Sequence, residues 1–340
     1  MLMARLNVLR FYVTFLSTLV VFTAGFLFHY PSRSSFLFPS NLDVQKLSNS
    51  EISRKEERIA LILYGLPRQT HLTYRSIKSK IYDVLRRESV DFDVILHHVL
   101  YLQPYSNSRN NEHRANINNS EWRLLQPDIQ LSSEHDYFLE SYKDLIDEIL
   151  TYGDPHNNDG NSTRNELEAL HSLKLATLVA NSSERDYTGM VILRPDLLYH
   201  DEINVTLLRW AMSNGVIVTP GWQTYGALND RFSFGAWKPM LQMGLRFNKI
   251  LEFCRTTQRP WLAEEYVHWL IYKVPKSEYR ASQHDHAPLH CHTTLTATRI
   301  RTHGPTKEDF TMNSGEFIEC ENRTVSATVE GTRSGNPNSR

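Results

Sequence analysis

The run Ile59-Ala-Leu-Ile-Leu-Tyr64 is continuously apolar and closes in Gly65-Leu-Pro-Arg68; after one amphipathic stretch a second strand is expected, from Phe92 to Leu100. Between them Tyr74, Ile77, Ile81, Val84 and Leu85 recur at helical spacing, with Thr70 as the expected cap and Glu88-Ser89 as the stop. Two buried strands joined by a helix of that length can pair only in parallel, through a right-handed crossover. That one unit commits the chain to an α/β sheet with helices on its faces.

The rest of the chain extends the pattern. Gln103 to Ser120 is polar and rich in Asn, Ser and Arg, which predicts a long loop over the sheet edge. Ser133 and Asp136 resemble a capping pair for a helix whose apolar face is Phe138, Tyr142, Leu145, Ile146 and Ile149, ending at Gly153-Asp-Pro155. Thr163 and Glu166 form a capping box for the next helix, running to about Val179. Strands are expected at Met190–Leu193 and at Val216–Thr219, the second stopped by Pro220-Gly221. A last helix, Leu262 to Lys273, has Glu264 and Glu265 in its first turn and Tyr266, Trp269, Leu270 and Lys273 at one spacing.

Phe11 to Phe28 carries no charge over 18 residues, with Arg5 and Arg10 just before it. The expected organisation is a cytoplasmic tail 1–10, a transmembrane signal anchor 11–30, a polar stem 31–57, a luminal domain 58–324 and a disordered tail 325–340. A cleaved signal peptide is the rival reading. Thr23 and Gly25 make a poor cleavage site, however, and the bulky Phe26 and Phe28 favour retention. Five glycosylation sequons, at Asn118, Asn161, Asn181, Asn204 and Asn322, agree with a secretory location. Three cysteines, Cys254, Cys291 and Cys320, allow one disulfide and leave one thiol over. Lys plus Arg number 37 against 38 for Asp plus Glu, so no global field draws the chain to nucleic acid.

Chemistry concentrates where strands end. Arg194-Pro-Asp196 stops a buried strand and delivers a guanidinium and a carboxylate to a sheet edge, where α/β folds collect their ligands. A carboxylate there suits a divalent cation and an arginine suits a phosphate, although a structural ion pair explains the same residues. Gly65 and Arg68 follow the first strand where a nucleotide commonly lies, but without a GxGxxG or Walker pattern; an ordinary turn is the plainer account. Asn229, Asp230 and Arg231 can orient a sugar or phosphate, or simply cap a turn. Glu264 beside Trp261 would act as a general base if partly buried, with the indole stacking on a sugar; the helix dipole accounts for the acid equally well. His303 arrives late enough in the chain to complete a metal shell with Asp196. His284-Asp-His286 and His290-Cys-His292 match no common zinc spacing. Asn157-Asn-Asp-Gly160 with Glu166 fails as a calcium loop because Pro155 stands at its first position.

Taken together, Arg194-Pro-Asp-Leu197, Asn229-Asp-Arg-Phe232, the Arg109 and Glu112 loop, Ala263-Glu264 and Arg299-Ile-Arg-Thr-His-Gly304 resemble glycosyltransferase-like proteins of the GT-A type, over about residues 58 to 310. The resemblance implies a Rossmann-like, mostly parallel central sheet flanked by helices, preceded by a single membrane helix. It also implies a type II enzyme of the Golgi or ER membrane. Its partners would be a nucleotide-sugar donor and a glycan or glycoprotein acceptor. Asp196 stands in for the last carboxylate of the usual DxD, with Mn²⁺ or Mg²⁺ as cofactor and His303 as a second metal ligand. Arg194 occupies the first position of that motif, so the diphosphate could instead be neutralised by arginine. By the same resemblance Glu264 and Asp230 are the catalytic candidates, and Gly65, Arg68, Arg109, Arg194, Asn229, Arg231 and Trp261 the substrate-binding ones. Two alternatives stay open: a catalytically silent carbohydrate-binding ectodomain using Trp222, Tyr225 and Trp261, and a luminal sulfotransferase with a phosphate-cradling loop after the first strand.

Overall fold

The computed structural model describes residues 57–225, 227–272, 290–307 and 310. The anchor 11–30, the stem up to residue 56, Lys273, His284, His286, Cys320, Asn322 and the tail 325–340 lie outside the described residues. Among the described residues no helix is long and apolar enough to cross a membrane.

Strand β1 (Arg58–Gly65) leads to α1 (Thr70–Ile77), a π-helical turn at Lys78–Tyr82, α2 (Asp83–Arg87) and β2 (Asp91–Leu100). β1 and β2 pair in parallel over their length, as the crossover demands. Thr70 is not the cap. Gln69 occupies that position, and the Thr70 N–H donates to the carboxylate of Glu121, which satisfies an orphan helix donor from a distant segment. The expected loop over 103–120 contains a hairpin, β3 (Tyr105–Asn107) and β4 (Glu112–Ala115). Its strands are too short and polar to show a period-2 signal.

Strand β5 (Ile129–Glu134) extends the sheet beyond β2 and contains Ser133, so the helix that follows, α3 (His135–Ser141), starts later than its capping pair suggests. It breaks at Tyr142 before α4 (Lys143–Thr151). The long helix α5 (Asn161–Ser182) is capped by Gly160 in the left-handed region, φ 72°, and not by Thr163. The Asp154 carboxylate organises that entry by accepting from the N–H groups of His156, Asn158 and Gly160. β6 (Gly189–Leu193), β7 (Leu197–Tyr199), α6 (Val205–Asn214), β8 (Ile217–Pro220) and β9 (Ser233–Ala236) follow. The chain continues through α7 (Trp237–Gly244), α8 (Ile250–Thr257), α9 (Ala263–Tyr272), β10 (His290–Thr293), β11 (Ala297–Arg301) and β12 (Gly304–Pro305).

The main sheet has seven strands in the order β10-β8-β9-β6-β1-β2-β5, all parallel except β9, which runs against both neighbours. It is the mixed, mostly parallel sheet flanked by helices that the sequence predicts. Along β1, Ile59, Leu61 and Leu63 enter one apolar core with α1, α2 and α6, while Ala60, Ile62 and Tyr64 enter another with the helices α3 to α5 and α7 to α9. Burial on both faces explains why the strand reads as an unbroken apolar run. A small antiparallel sheet, β12-β11-β7, lies past the end of β6 and brings Arg299 and Arg301 back toward it. Cys291 is disulfide-bonded and Cys254 is a buried free thiol.

Candidate functional site

The chain leaves β1 toward β2 on one side and returns to β6 on the other, so the strand order reverses between β1 and β6. A crevice opens outside the carboxyl ends of strands at such a point. Here it is a cavity of about 340 Å³, lined by Gly65, Val99 and Arg194 from the strand ends, by Tyr105, Asn107 and Arg109 from the hairpin, and by Asp230, Glu264, Arg299 and Arg301 from later segments. Gly65 turns the chain out of β1 at φ 94°, where a side chain would be strained, and its N–H donates to Ser172 Oγ at 2.8 Å.

One wall is a row of alternating charges. Arg194 grips Asp196 with Nε and Nη2, both at 2.9 Å. Arg68 Nη2 reaches the same carboxylate at 3.1 Å while its Nη1 holds Glu112 at 2.9 Å. Glu112 in turn accepts the Thr302 N–H at 2.9 Å and lies 3.8 Å from Arg301 Nη1. Asp196, Glu112 and Arg68 are all buried. Burial alone would raise the Asp196 pKa; the guanidiniums of Arg194 and Arg68 outweigh it and hold the carboxyl well below its usual range. Crowding has the opposite effect at the end of the row. Desolvation, then Arg231, Arg194 and Arg301, push Arg299 well below the ordinary arginine value, and desolvation with Arg68 brings Arg301 down to about 10.

The facing wall is acidic. Desolvation and the neighbouring Asp230 carboxylate push Glu264 up to about 8, with Arg231 partly offsetting them. Buried Arg246 fixes this wall by donating to the Met243 carbonyl at 3.0 Å and the Asp230 carbonyl at 3.3 Å. Deeper in, Glu168 accepts from Tyr101 at 3.0 Å and contacts His135 Nδ1 at 2.9 Å. Arg246, Arg299, Arg301 and the Tyr101–Glu168–His135 group have no place in the sequence-derived site. Arg299 and Arg301 belong to the Arg299–Gly304 motif that carries the resemblance, without a site role assigned there, whereas Arg246 and Glu168 sit in segments with no such signal.

The predicted site residues divide. Gly65, Arg109, Arg194, Asp230, Arg231 and Glu264 all line the cavity. Arg109 is exposed at the rim, 2.9 Å from His156 Nε2 and 3.5 Å from Glu166. Arg68 lines the cavity too, but its fork is committed to Glu112 and Asp196, so it supports the wall in place of the expected nucleotide contact. Asn229 is buried and structural: its amide donates to the Trp222 carbonyl at 2.8 Å and its oxygen accepts the Arg231 N–H at 2.9 Å. Trp261 is 1% exposed and packed in the core against Tyr266, out of reach of a sugar face.

The expected Mn²⁺ or Mg²⁺ site does not fit these residues. Both Asp196 oxygens accept from guanidiniums, and the positive charge of Arg194 and Arg68 opposes a cation there. His303 is exposed in the turn between β11 and β12. Among the described residues no group of three or more His, Cys, Asp or Glu side chains is arranged to hold a metal ion.

This is a mostly parallel α/β protein with an arginine-walled cleft at its strand-order reversal. No family model matches the chain, and no curated protein matches it. Among solved structures, mouse xyloside xylosyltransferase 1 in its apo form is similar at 10% identity over 66% of this chain and 82% of its own, with a TM-score of 0.34. A likeness at that level transfers no residue role.

Proposed function

We propose that the chain is a glycosyltransferase, moving a sugar from a nucleotide-sugar donor to a hydroxyl of a glycan or glycoprotein acceptor. In this reading segment 11–30 anchors it in the Golgi or ER membrane with the domain luminal. The observation that carries the proposal is one cleft in which a row of arginines faces a carboxyl group of raised pKa, Glu264 at about 8. Anionic leaving groups need the first, and deprotonation of an alcohol needs the second.

Glu264, once ionised, accepts the acceptor hydroxyl proton as that oxygen bonds to the anomeric carbon. The bond from that carbon to the donor phosphate oxygen breaks, and the nucleoside diphosphate leaves with the electron pair and is stabilised by the guanidiniums. Asp230 is placed to accept a hydrogen bond from a sugar hydroxyl and raises the basicity of Glu264. A pKa near the working pH suits a general base. The silent carbohydrate-binding alternative is weaker, since Trp222 and Trp261 are each 1% exposed and Tyr225, 71% exposed, is left as its stacking surface. The sulfotransferase alternative loses its cradle, because Arg68 of the Gly65–Arg68 loop is tied to Glu112 and Asp196.

The test is a screen of nucleotide sugars with the detergent-solubilised full chain, reading released nucleoside diphosphate with acceptor glycans present. Release from one donor is the expected result. Binding of glycans with no turnover or binding of any donor would replace the enzyme with the silent ectodomain.

A further inference from the structure

We infer that the cleft holds a pyrophosphate group directly on Arg194, Arg231, Arg299 and Arg301, with no divalent cation between. The inference rests on the nucleotide-sugar reading only for the rest of the ligand; the pyrophosphate contact stands on the wall itself.

Besides Arg109 at the rim, five guanidiniums, those of Arg68, Arg194, Arg231, Arg299 and Arg301, line one cavity, while the carboxylates interleaved with them are Asp196 and Glu112. Burial first, and then the neighbouring guanidiniums, hold the pKa values of Arg299 and Arg301 down, because like charges gathered in a desolvated place repel one another. Such a cluster is maintained at a cost that an arriving polyanion relieves. Among the described residues, several of the facing acids have partners of their own. Glu168 is engaged by Tyr101 and His135, Glu265 by Arg259, and Glu166 lies with Arg109 and His156 at the rim. Glu264 is largely protonated at neutral pH.

Hydrogen-bond capacity points the same way. Arg194 commits Nε and Nη2 to Asp196, leaving Nη1 for another acceptor. The Nε of Arg301 is buried and, among the described residues, has no hydrogen-bond partner. A guanidinium fork matches phosphate oxygens in pairs, whereas a hydrated cation at Asp196 would meet a carboxylate whose two oxygens already accept from Arg194 and Arg68. Asp196 is then a positioning residue, fixing Arg194 and Arg68 from behind, and not a ligand.

The experiment is calorimetric titration of inorganic pyrophosphate into the full chain, once in EDTA and once with Mn²⁺. The expected result is binding in EDTA with a Kd within about threefold of that in Mn²⁺, weakening as salt is raised. Arg301→Gln should weaken it by at least about tenfold. Arg299→Lys, which keeps the charge and loses the fork, should fall between Arg301→Gln and the parent. Arg86→Gln, at the opposite end of β2, should leave it unchanged. Binding that requires Mn²⁺ overturns the inference, as does binding in EDTA that neither cleft variant weakens, or no binding in either buffer. If the variants fail to fold, the EDTA and Mn²⁺ titrations of the parent chain still decide it. Pyrophosphate binding in EDTA without turnover of any nucleotide sugar would remove the donor reading and leave the arginine site standing.

Discussion

Single residues in this cleft are predicted to separate chemistry from support. Glu264→Gln should cut transfer by about 10²-fold or more while the donor still binds, measured as kcat against KM. Transfer by the parent chain should rise with pH as Glu264 ionises at about 8. The same group has a stability signature. Its folded pKa lies above its unfolded value, so the folded state binds the extra proton, and stability falls as pH rises from about 4.5 toward about 8. Melting temperatures across that window should drop less in Glu264→Gln than in the parent. Asp196 behaves in the opposite way. Asn at this position leaves Arg194 and Arg68 partly unpaired in a buried place, which should cost about 3 kcal/mol in denaturant unfolding. An Asp196→Asn protein as stable as the parent would contradict the buried-row geometry. Arg194 and Asp196 were legible as a pair from Pro195 and the strand end. The further guanidinium that closes the Asp196 carboxylate off comes from Arg68, 126 residues earlier than Arg194, and no local pattern announces it.

At the level of elements, β9 decides the shape of the acidic wall, because its reversed direction carries the chain from Asn229-Asp-Arg231 back across the sheet into α7. Gly235 is what lets β9 approach. A Cβ there would be driven into the Val216 carbonyl, a backbone atom that cannot rotate away. Gly235→Ala should therefore destabilise the chain by about 1–3 kcal/mol, read from the urea midpoint. No comparable loss is expected at Gly215, where an added Cβ meets nothing within 4 Å, beyond the strain of its φ of 68°. The strands β1 and β6 were legible because both faces are buried and their residues are almost all apolar, and β2 because Val94-Ile-Leu96 forms a buried apolar stretch within it. The hairpin β3–β4 and strand β5 were not, since their partly exposed residues mix polar and apolar types and pairing with neighbours, not composition, defines them.

Across the whole molecule the sheet and its cores hold histidines as neutral groups. Desolvation, with neighbouring histidines, brings His97 to about 3; desolvation brings His98, His171 and His292 to about 4, and His290 is pushed well below its ordinary value. Their hydrogen bonds, such as His97 Nδ1 to Ser172 Oγ at 2.9 Å and His290 Nε2 to Thr219 Oγ1 at 2.8 Å, tie them to the strands. An unfolded chain takes up protons on them from about pH 6.5 downward, and the folded chain does not. Stability is therefore complete above that pH and declines toward pH 4, on the order of 2 kcal/mol for each fully depressed group. Thermal unfolding scanned from pH 7 to 4 should show that decline, made shallower by His98→Gln. A flat profile would mean that these side chains are hydrated.

By itself the sequence determined the class of fold and the place of the chemistry. A βαβ unit of buried apolar runs permits only a parallel sheet, and proline and glycine at the strand ends mark where side chains turn outward. Glu264 was legible in the same local way, as an acid beside aromatic residues. Only the tertiary structure decided which charges meet. Arg68, Glu112, Asp196 and Arg301 are far apart in the chain, and no local pattern fixes a salt bridge formed by folding. Burial also decided the aromatic roles: Trp261 looks like a sugar platform beside Glu264, yet the cost of leaving an indole in water places it in the core.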